Sequence, residues 1–292
     1  MKKVMITGSE GFIGKHLQEA LKDEYEIIKF DIKNYIFQDA RDRKYTRNFI
    51  LENKPDIIIH LAANPEIHTS FEYPQEDIIL NVATTINLLD ICREHKPELF
   101  ILASTAQVYG ETNEEGMDEN TKIGPKSPYS IGKYAAENYC KFFNEKYGIP
   151  TMAFRFFNIY GDNQPQTVVV PNLIRKIKVL EGNTLKMYGS EGDSRDFIYI
   201  KDLCKAFKLA IEKKPIGEVI NIGSGVETKI SSLALLTAKL LGREIKLEYD
   251  ENQEILKIVR MRANANKAYK LLGWKAETTL EQGVKNVMKS MS

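Results

Sequence analysis

Short apolar runs recur along the first part of the chain, and the segments between them carry apolar residues at helical spacing. Such runs are typical of buried strands, and the intervening segments are typical of amphipathic helices. The runs comprise Lys3 to Thr7, Tyr25 to Phe30, Ile57 to Leu61, Leu99 to Ala103 and Thr151 to Phe156. Because strands that alternate with helices form right-handed βαβ units, the pattern predicts an α/β fold with a doubly wound parallel sheet.

The pattern changes after Gly161, where short strands and helices follow in no regular order. The stretch GDNQPQ predicts a polar loop, and LKMYGSEGDSRDFIYI predicts two short strands around a glycine-rich turn. Helices are predicted after Pro171, from Asp202 to Glu212, from Ser231 to Leu241, and around Lys267 and Glu281, with a strand in EVINIGSG. We therefore expect a main domain at residues 1–165 and mainly a smaller lobe at residues 166–292, with residues from about 195 to 225 returning to the main domain.

Charged residues are almost balanced, with 41 basic and 40 acidic side chains and a formal net charge of +1. This balance provides no excess of positive charge to attract a nucleic acid or an anionic membrane surface, so neither partner is expected. The first apolar run is too short for a secretory signal, and no stretch is long enough to span a membrane. The cysteines and histidines are widely spaced, which indicates neither a disulfide nor a metal site and favours a cytoplasmic protein.

A glycine-rich turn, Gly8-Ser9-Glu10-Gly11-Phe12-Ile13-Gly14, follows the first predicted strand and enters the first predicted helix. Glycines let the backbone turn tightly and approach a pyrophosphate, which the N-terminus of the helix attracts. The spacing is a variant of the dinucleotide-binding turn. The turn is therefore a candidate site for NAD.

Residues at the ends of the following strands extend this candidate cofactor site. Asp31 ends the second predicted strand and is placed to accept hydrogen bonds from a ribose, although it also suits the start of a turn. A carboxylate there repels a 2′-phosphate, which favours NAD over NADP. Asp39 and Ala40 follow the apolar stretch Tyr35-Ile36-Phe37 and are placed beside an adenine. The small residues of Leu61-Ala62-Ala63 suit either close passage of a cofactor or plain packing.

A tyrosine and a lysine stand one helical turn apart in the segment SPYSIGKYAAENYCKFF. Residues four positions apart share one face of a helix, so Lys133 would lie beside the phenol of Tyr129 and stabilise its phenolate. Thr105 follows the strand that ends at Ala103, and open α/β sheets bind ligands beyond the carboxyl ends of their strands. These three side chains together suit proton transfer with a substrate hydroxyl, whereas Tyr129 and Lys133 alone would also fit an ordinary surface helix.

The ordered set of motifs resembles the extended short-chain dehydrogenase/reductase family, in particular its NAD-dependent nucleotide-sugar epimerases and dehydratases, and most of all its UDP-sugar 4-epimerases. The set covers nearly the whole chain and comprises TGSEGFIG, HLAA, ILASTAQVYG, YSIGK, FRFFNIYG, GDSRDFIYIKDL, NIGSG and LLGW. The resemblance implies a Rossmann domain that binds NAD and carries the catalytic residues. It also implies that the smaller lobe binds a nucleoside-diphosphate sugar.

Carried over to this chain, the resemblance implies a role for each candidate residue. The cofactor would contact Gly8, Gly11, Phe12, Ile13, Gly14, Asp31, Asp39, Ala40, Leu61, Ala62, Ala63, Tyr129 and Lys133. The catalytic residues would be Thr105, Tyr129 and Lys133, with Tyr129 as the base. The substrate would contact Thr105, Tyr129, Asn158, Arg195 and Arg260. Arg195 would pair with the diphosphate, although a salt bridge to Asp193 or Asp196 is an alternative.

Two departures from the family pattern narrow the expected chemistry. The 4,6-dehydratases carry an acidic pair directly after the catalytic threonine, and the related decarboxylases carry a glutamate there, whereas this chain has Ala106 and Gln107. Neither side chain exchanges a proton at neutral pH, which argues against elimination. Many epimerases also have an Arg-x-Gly-Asp stretch where this chain has Glu254-Ile255-Leu256-Lys257, so Arg260 or Arg262 would supply the second phosphate contact.

The resemblance therefore implies an NAD-dependent nucleotide-sugar epimerase that acts at C4 of a hexose through a 4-keto intermediate. A nucleotide-sugar ketoreductase that consumes NAD(P)H and a non-catalytic NAD-binding regulator are the alternatives. The predicted long helices near Asp77 to Glu94 and Tyr129 to Tyr147 resemble those that pair in the family's homodimers. A homodimer is therefore expected, although the apolar residues of these helices would also suit covering the sheet.

Overall fold

The computed structural model describes residues 1–34, 38–111, 116–250 and 260–291. The apolar stretch 35–37 and the segment 254–257 lie outside these ranges. The strands are β1 (Lys2–Thr7), β2 (Tyr25–Phe30), β3 (Ile57–His60), β4 (Leu99–Thr105), β5 (Thr151–Phe156), β6 (Asn158–Tyr160), β7 (Thr184–Tyr188), β8 (Ser194–Tyr199), β9 (Val219–Ile222), β10 (Glu227–Lys229) and β11 (Lys246–Asp250).

The helices of the same ranges alternate with the first strands and dominate the second half of the chain. They are α1 (Phe12–Leu21), α2 (Arg43–Asn53), α3 (Ile67–Glu72), α4 (Pro74–Ile78), α5 (Thr84–His95), α6 (Pro128–Tyr147), α7 (Val169–Lys178), α8 (Ile200–Lys213), α9 (Ile230–Leu240), α10 (Asn266–Leu272) and α11 (Leu280–Ser290). None of these helices has the length and apolar character that a membrane crossing requires.

The main sheet is parallel and has the strand order β2-β1-β3-β4-β5-β9. Thr7 at the end of β1 aligns with Phe30 of β2 on one side and with His60 of β3 on the other. The strand order reverses between β1 and β3, which opens a crevice at the carboxyl ends of these strands. The predicted α/β doubly wound parallel sheet is therefore confirmed.

Alternate residues of each central strand enter different hydrophobic cores. In β1, Val4 and Ile6 belong to a core that includes residues of α1, α7 and α8, whereas Met5 belongs to one that includes residues of α2, α5 and α6. Full burial on both faces explains why these strands are continuous apolar runs in the sequence. The layering also places α6 and α8 on opposite faces of the sheet.

The second half of the chain builds two small sheets and also returns to the main one. β8 pairs with β6 and β10, while β7 pairs with β11, so the two strands predicted around the glycine-rich turn form but belong to different sheets. β9 pairs with β5 at the edge of the main sheet. Helix α7 begins at Val169, two residues before Pro171, because the first turn of a helix does not need the N–H that proline lacks.

The long helix predicted near Asp77 to Glu94 forms as consecutive segments with a change of pitch. α4 leads into a π-helical turn at Ile79–Ala83, which leads into α5. A π-helical turn is wider than an α-helical one and is frequent at functional sites. This turn lies beside α6, the helix that carries Tyr129 and Lys133.

Candidate active site

A cavity of about 600 Å³ lies at the carboxyl ends of the central strands, where the sheet topology predicts a ligand site. It is lined by cofactor candidates from the sequence, namely Gly8, Gly11, Phe12, Ile13, Gly14, Asp31, Asp39, Ala40, Leu61, Ala62, Ala63, Tyr129 and Lys133. The structure therefore brings all thirteen of these residues to one crevice.

The glycine turn between β1 and α1 has no room for side chains at two of its glycines. A Cβ at Gly14 would lie 2.3 Å from the Gly8 carbonyl oxygen, and a Cβ at Gly8 would lie 2.8 Å from the Ala62 nitrogen. Gly8 also has a positive φ of 70°, which favours glycine. The turn therefore brings its backbone close to Ala62 and leaves the N-terminus of α1 free of side chains, as a bound pyrophosphate requires.

Asp31 braces this turn from the end of β2. Its Oδ2 accepts the N–H of Glu10 at 2.9 Å, and its Oδ1 accepts the N–H of Lys33 at 2.8 Å. Asp31 thus serves as a turn carboxylate while it also lines the cavity. Asp39 lies farther along the wall, where Arg41 holds it through Nε and Nη2 at 2.8 and 2.6 Å and lowers its pKa.

The start of α6 places Tyr129 and Lys133 in the crevice. Ser127 caps the helix by accepting the N–H of Ser130 at 3.1 Å, and the Ser130 hydroxyl accepts the N–H of Ser127 at 3.0 Å. Tyr129 therefore stands in the first helical turn, and its phenol hydrogen-bonds with the hydroxyl of Thr105. Lys133, one turn later, donates from Nζ to the Ala103 carbonyl oxygen at 3.0 Å.

A buried polar network fixes α6 against the end of β4. Ser104 donates to the Glu137 carboxylate, which also accepts three hydrogen bonds from Arg155 at 3.0, 3.2 and 2.7 Å. The Arg155 Nη1 reaches the phenol of Tyr109 at 3.0 Å. Since Ser104 precedes Thr105 and Glu137 lies one turn beyond Lys133, this network sets the spacing between the Thr105 hydroxyl and α6.

Burial controls the protonation states of the candidate catalytic pair. It raises the pKa of Tyr129 to about 12, against the hydrogen bond with Thr105, which lowers it. It lowers the pKa of Lys133 to about 8, against the nearby Asp77 carboxylate, which raises it. At neutral pH, Lys133 is therefore charged and Tyr129 is protonated. The Asp77 carboxylate also raises the pKa of Tyr129, and Lys133 is not among the causes of the shift, so the predicted lowering of the Tyr129 pKa by Lys133 is not seen.

The candidate substrate residues surround the small sheet of β6, β8 and β10. Asn158 in β6 is aligned with Phe197 in β8, two residues from Arg195. Arg195 donates to the Ser194 carbonyl oxygen at 2.8 Å, and burial lowers its pKa while Asp193 opposes that shift. Asp196, the other salt-bridge alternative, accepts backbone N–H groups at the start of the next loop and before α10, at Ser224, Gly225 and Ala263.

Arg260 and Arg262 approach the same small sheet from the other side. Arg260 donates to both carboxylate oxygens of Glu227 in β10 at 2.8 and 2.7 Å, and this pairing lowers the pKa of Glu227 to about 2. Arg262 lies near Gly116, with its Nη2 at 3.4 Å from the position of a Cβ there. Glu227, which binds Arg260, directly precedes Thr228, the residue of β10 that is aligned with Arg195.

Several residues of the cavity are missing from the sequence-based candidates. They are Phe30, Ile32, Lys33, Gln38, Pro65, Glu66, Leu80, Thr84, Ala103, Ser104, Phe156, Ile159, Gln164, Pro165, Thr167 and Val168. Leu80 and Thr84 are four positions apart on one helical face, a signal that was available from the sequence. The loop from Gln164 to Val168 gave no such signal, because its place in the cavity depends on the return of the chain over the sheet.

These features fit a dinucleotide cofactor. The turn admits a pyrophosphate beside the N-terminus of α1, the apolar wall admits flat rings, and Tyr129 and Lys133 line the same cavity. The Thr105 hydroxyl lies next to the Tyr129 phenol. The arrangement can exchange a proton with a substrate held beside a redox cofactor.

Known proteins share this architecture along the whole chain. Residues 4–223 match the NAD dependent epimerase/dehydratase family. A putative UDP-glucose 4-epimerase of Methanocaldococcus jannaschii is 33% identical over 99% of this chain and 98% of its own length. A UDP-glucose 4-epimerase of Thermotoga maritima, solved with UDP-glucose, has a TM-score of 0.91 at 27% identity and 99% and 98% coverage of the two chains.

A second solved structure adds the cofactor. A UDP-glucose 4-epimerase of Thermus thermophilus, in complex with NAD, has a TM-score of 0.86 at 26% identity and covers 99% of this chain and 98% of its own. The glycine turn, the cavity and the Tyr129–Lys133 helix of this chain thus stand in a fold shared with NAD-binding epimerases. The chain therefore belongs to the NAD-dependent epimerase/dehydratase family, and NAD is its cofactor.

Proposed function

We propose that this protein is a nucleotide-sugar epimerase that acts at C4 of a nucleoside-diphosphate hexose through a 4-keto intermediate. The observation that carries the proposal is that Tyr129 and Lys133 both line the cofactor cavity and that the Tyr129 phenol hydrogen-bonds with the Thr105 hydroxyl. Ala106 and Gln107 follow Thr105, and neither provides the acid or base that elimination of water needs. The relatives named as UDP-glucose 4-epimerases support the same reaction.

When bound, NAD would supply the hydride acceptor and donor, and its positive charge would favour loss of the proton that Tyr129 holds at rest. The Tyr129 phenolate accepts the proton of the sugar 4-hydroxyl, and the Thr105 hydroxyl hydrogen-bonds to the same oxygen. Lys133 holds positive charge next to the phenolate. Arg195 binds the diphosphate while the 4-keto sugar turns about it and presents its other face, and Tyr129 then returns the proton to O4.

The remaining candidate residues complete the proposed site. The glycine turn at Gly8–Gly14 holds the pyrophosphate, Asp31 the adenosine ribose, and Asp39 and Ala40 the adenine. Asn158 contacts the sugar nucleotide. Arg260 provides a second phosphate contact only when it leaves Glu227, because its guanidinium is already bound there.

We also propose that the enzyme is a cytoplasmic homodimer. Helices α4 and α6 present exposed apolar side chains that a second copy would cover. The cytoplasmic location rests on the composition and on the spacing of the cysteines.

The reaction is testable with purified enzyme and a set of UDP-, GDP-, dTDP- and CDP-hexoses, with NMR spectra of the products. We expect one class of nucleotide hexose to be converted to its C4 epimer without net change in NADH absorbance. Tyr129→Phe should lower kcat by about 100-fold or more, because it removes the proton-transfer group.

Tyr139→Phe is the matched control, since Tyr139 is an exposed tyrosine of the same helix and should leave kcat unchanged. Failure of every nucleotide hexose to react, with Tyr129→Phe equal to the wild type, would contradict the proposal. Stoichiometric loss of NADH absorbance with a 4-keto sugar would instead identify a ketoreductase.

A further inference from the structure

The carboxylate of Asp77 faces the catalytic helix from the neighbouring one. Asp77 lies in α4 and is 1% exposed. Its Oδ2 lies 3.3 Å from the position that a Cβ of Gly132 would occupy, so the carboxylate reaches the backbone of α6 between Tyr129 and Lys133. Glycine at position 132 leaves room for this approach, because any side chain there would crowd the carboxylate.

The hydrogen bonds of Asp77 do not explain its burial. Its Oδ1 accepts from Asn81 Nδ2 at 2.9 Å, within one turn of the same helix. Asp77 Oδ2 and Asn81 Oδ1 are both buried and have no hydrogen-bond partner in the part of the chain that the structure describes. Burying a carboxylate oxygen without a partner is costly, so another interaction must offset this cost.

Positive charge on Lys133 provides that interaction. Lys133 is 3% exposed, and burial disfavours its charged form while the Asp77 carboxylate favours it. Lys133 in turn favours the charged form of Asp77, although burial raises the Asp77 pKa overall. The two charges therefore favour each other across the buried space between α4 and α6 without a direct salt bridge between them, because Lys133 Nζ bonds to the Ala103 carbonyl oxygen.

The other titratable groups around Lys133 cannot replace Asp77. Glu137 on α6 is committed to Arg155 through three hydrogen bonds, and burial raises the pKa of the Cys140 thiol, so that thiol stays neutral. His60 on β3 has a pKa lowered to about 3 by burial, so it is neutral as well. Tyr129 is protonated at rest.

We propose that Asp77 is a positioning residue of the proton-transfer centre, whose carboxylate keeps the Lys133 ammonium charged beside Tyr129. The inference deepens the proposed function, since it assigns the charge balance of the same catalytic pair. The competing explanation is that Asp77 only stabilises the N-terminus of α4 through the helix dipole. That role would not depend on Lys133, so the two explanations make different predictions.

A double-mutant cycle on the unfolding of the NAD-bound protein in urea at pH 7 separates them. Asp77→Asn keeps the shape of the side chain and leaves Lys133 as an uncompensated buried charge, so the urea midpoint should fall. In a Lys133→Met background the cation that faces Asp77 is gone, and Asp77→Asn should then leave the midpoint unchanged or raise it. An equal fall in both backgrounds would overturn the proposal.

Asp202→Asn is the matched control for the cycle. Asp202 is also 1% exposed and lies in the first turn of α8, on the opposite face of the sheet. Its carboxylate accepts the N–H of Thr278 at 2.9 Å, so its replacement should lower the midpoint equally with and without Lys133. A background-dependent effect of Asp202→Asn would show that the cycle reports general destabilisation, which would remove the support for the pair.

The pH dependence of turnover provides an independent test with the nucleotide hexose that the wild type converts. The Asp77 carboxylate raises the pKa of both Lys133 and Tyr129, so its removal makes the coupled pair lose its first proton at lower pH and leaves less of Lys133 charged beside Tyr129. We expect Asp77→Asn to lower kcat about tenfold with a smaller change in KM, and to move the acidic limb of the pH profile down by about one unit.

Asp77→Glu tests whether charge or shape is responsible. It retains the carboxylate, so its acidic limb should stay close to that of the wild type even where its stability is reduced. An acidic limb of Asp77→Asn at the wild-type position would overturn the proposal. If the wild type converts no nucleotide sugar, the proposed function fails, whereas the urea cycle still decides whether Asp77 and Lys133 form a pair.

Discussion

At the scale of single residues, the hydrogen bonds of His60 hold its imidazole ring in one protonation state. Thr85 donates to the Asn81 carbonyl oxygen at 2.9 Å, so its hydroxyl oxygen is left to accept from His60 Nε2 at 3.1 Å. The other ring nitrogen, Nδ1, then accepts from the Thr7 hydroxyl at 2.8 Å. This chain of bonds runs from β1 to the π-helical turn beside Asp77 and requires a neutral imidazole with its proton on Nε2.

The neutral state of His60 makes the stability of the fold depend on pH. Burial lowers its pKa from 6.5 to about 3, so between these values the unfolded chain binds a proton that the folded chain does not. Stability should therefore fall as the pH falls through this window, by about 1.4 kcal/mol per pH unit. His60→Gln should be less stable at pH 7, but its free energy of unfolding should depend less on pH in this window, because one titrating group is gone. Urea unfolding at several pH values measures both effects.

His68→Gln is the control, because it removes a histidine from an exposed position and leaves the buried chain intact. A His60→Gln variant with the same slope as the wild type between pH 6 and 4 would contradict the assignment. It would mean that the acid sensitivity arises elsewhere in the protein.

At the scale of elements, the turn between β1 and α1 shows a graded tolerance for side chains. A Cβ at Gly14 would stand 2.3 Å from one carbonyl oxygen and 2.7 Å from another, whereas a Cβ at Gly11 would stand 3.1 Å from a single oxygen. Contacts below 3 Å with backbone require the turn itself to move. The geometry of the turn therefore depends more on Gly14 than on Gly11.

Gly14→Ala should therefore weaken NAD binding by more than tenfold, while Gly11→Ala should have a smaller effect, because only the first displaces the backbone around the pyrophosphate site. Calorimetric titration with NAD measures both affinities, and circular dichroism confirms that each variant is folded. Equal affinities of Gly14→Ala and the wild type would show that the turn does not hold the cofactor.

The strands of the main sheet, most helices and the cofactor crevice could be predicted because each leaves a local pattern in the sequence, whereas the strands β6, β10 and β11 were not predicted. Fully buried parallel strands are continuous apolar runs, and a turn without room for Cβ atoms is rich in glycine. Asp77 and the loop from Gln164 to Val168 leave no such pattern, since a helix with an acidic first turn looks the same whether its carboxylate meets water or a buried lysine. The pairing of β7 with β11 was not predicted either. It joins segments that lie far apart in the sequence, and no local pattern reports such a pairing.

At the scale of the whole molecule, one face combines the catalytic helix with exposed apolar side chains. Ile131 and Phe142 of α6 are 55% and 48% exposed, and Ile78 and Ile79 at the end of α4 are 53% and 46% exposed. α6 lies beside α4 and α5, so two copies of this face would form a four-helix bundle across a twofold axis. Exposed apolar side chains concentrated on one face favour binding to another apolar surface, such as the same face of a second copy.

Ile131→Glu should convert the proposed dimer to a monomer, because it places two carboxylates opposite apolar side chains at the twofold-related contact. Sedimentation velocity at several protein concentrations measures the change. The melting temperature of the wild type should rise with concentration, whereas that of the variant should not.

Leu235→Glu is the control, since Leu235 on α9 is 47% exposed but lies away from this face, and it should sediment as the wild type does. An Ile131→Glu protein that sediments like the wild type at every concentration would exclude this face as the interface, and the exposed apolar residues of α4 and α6 would then need another partner.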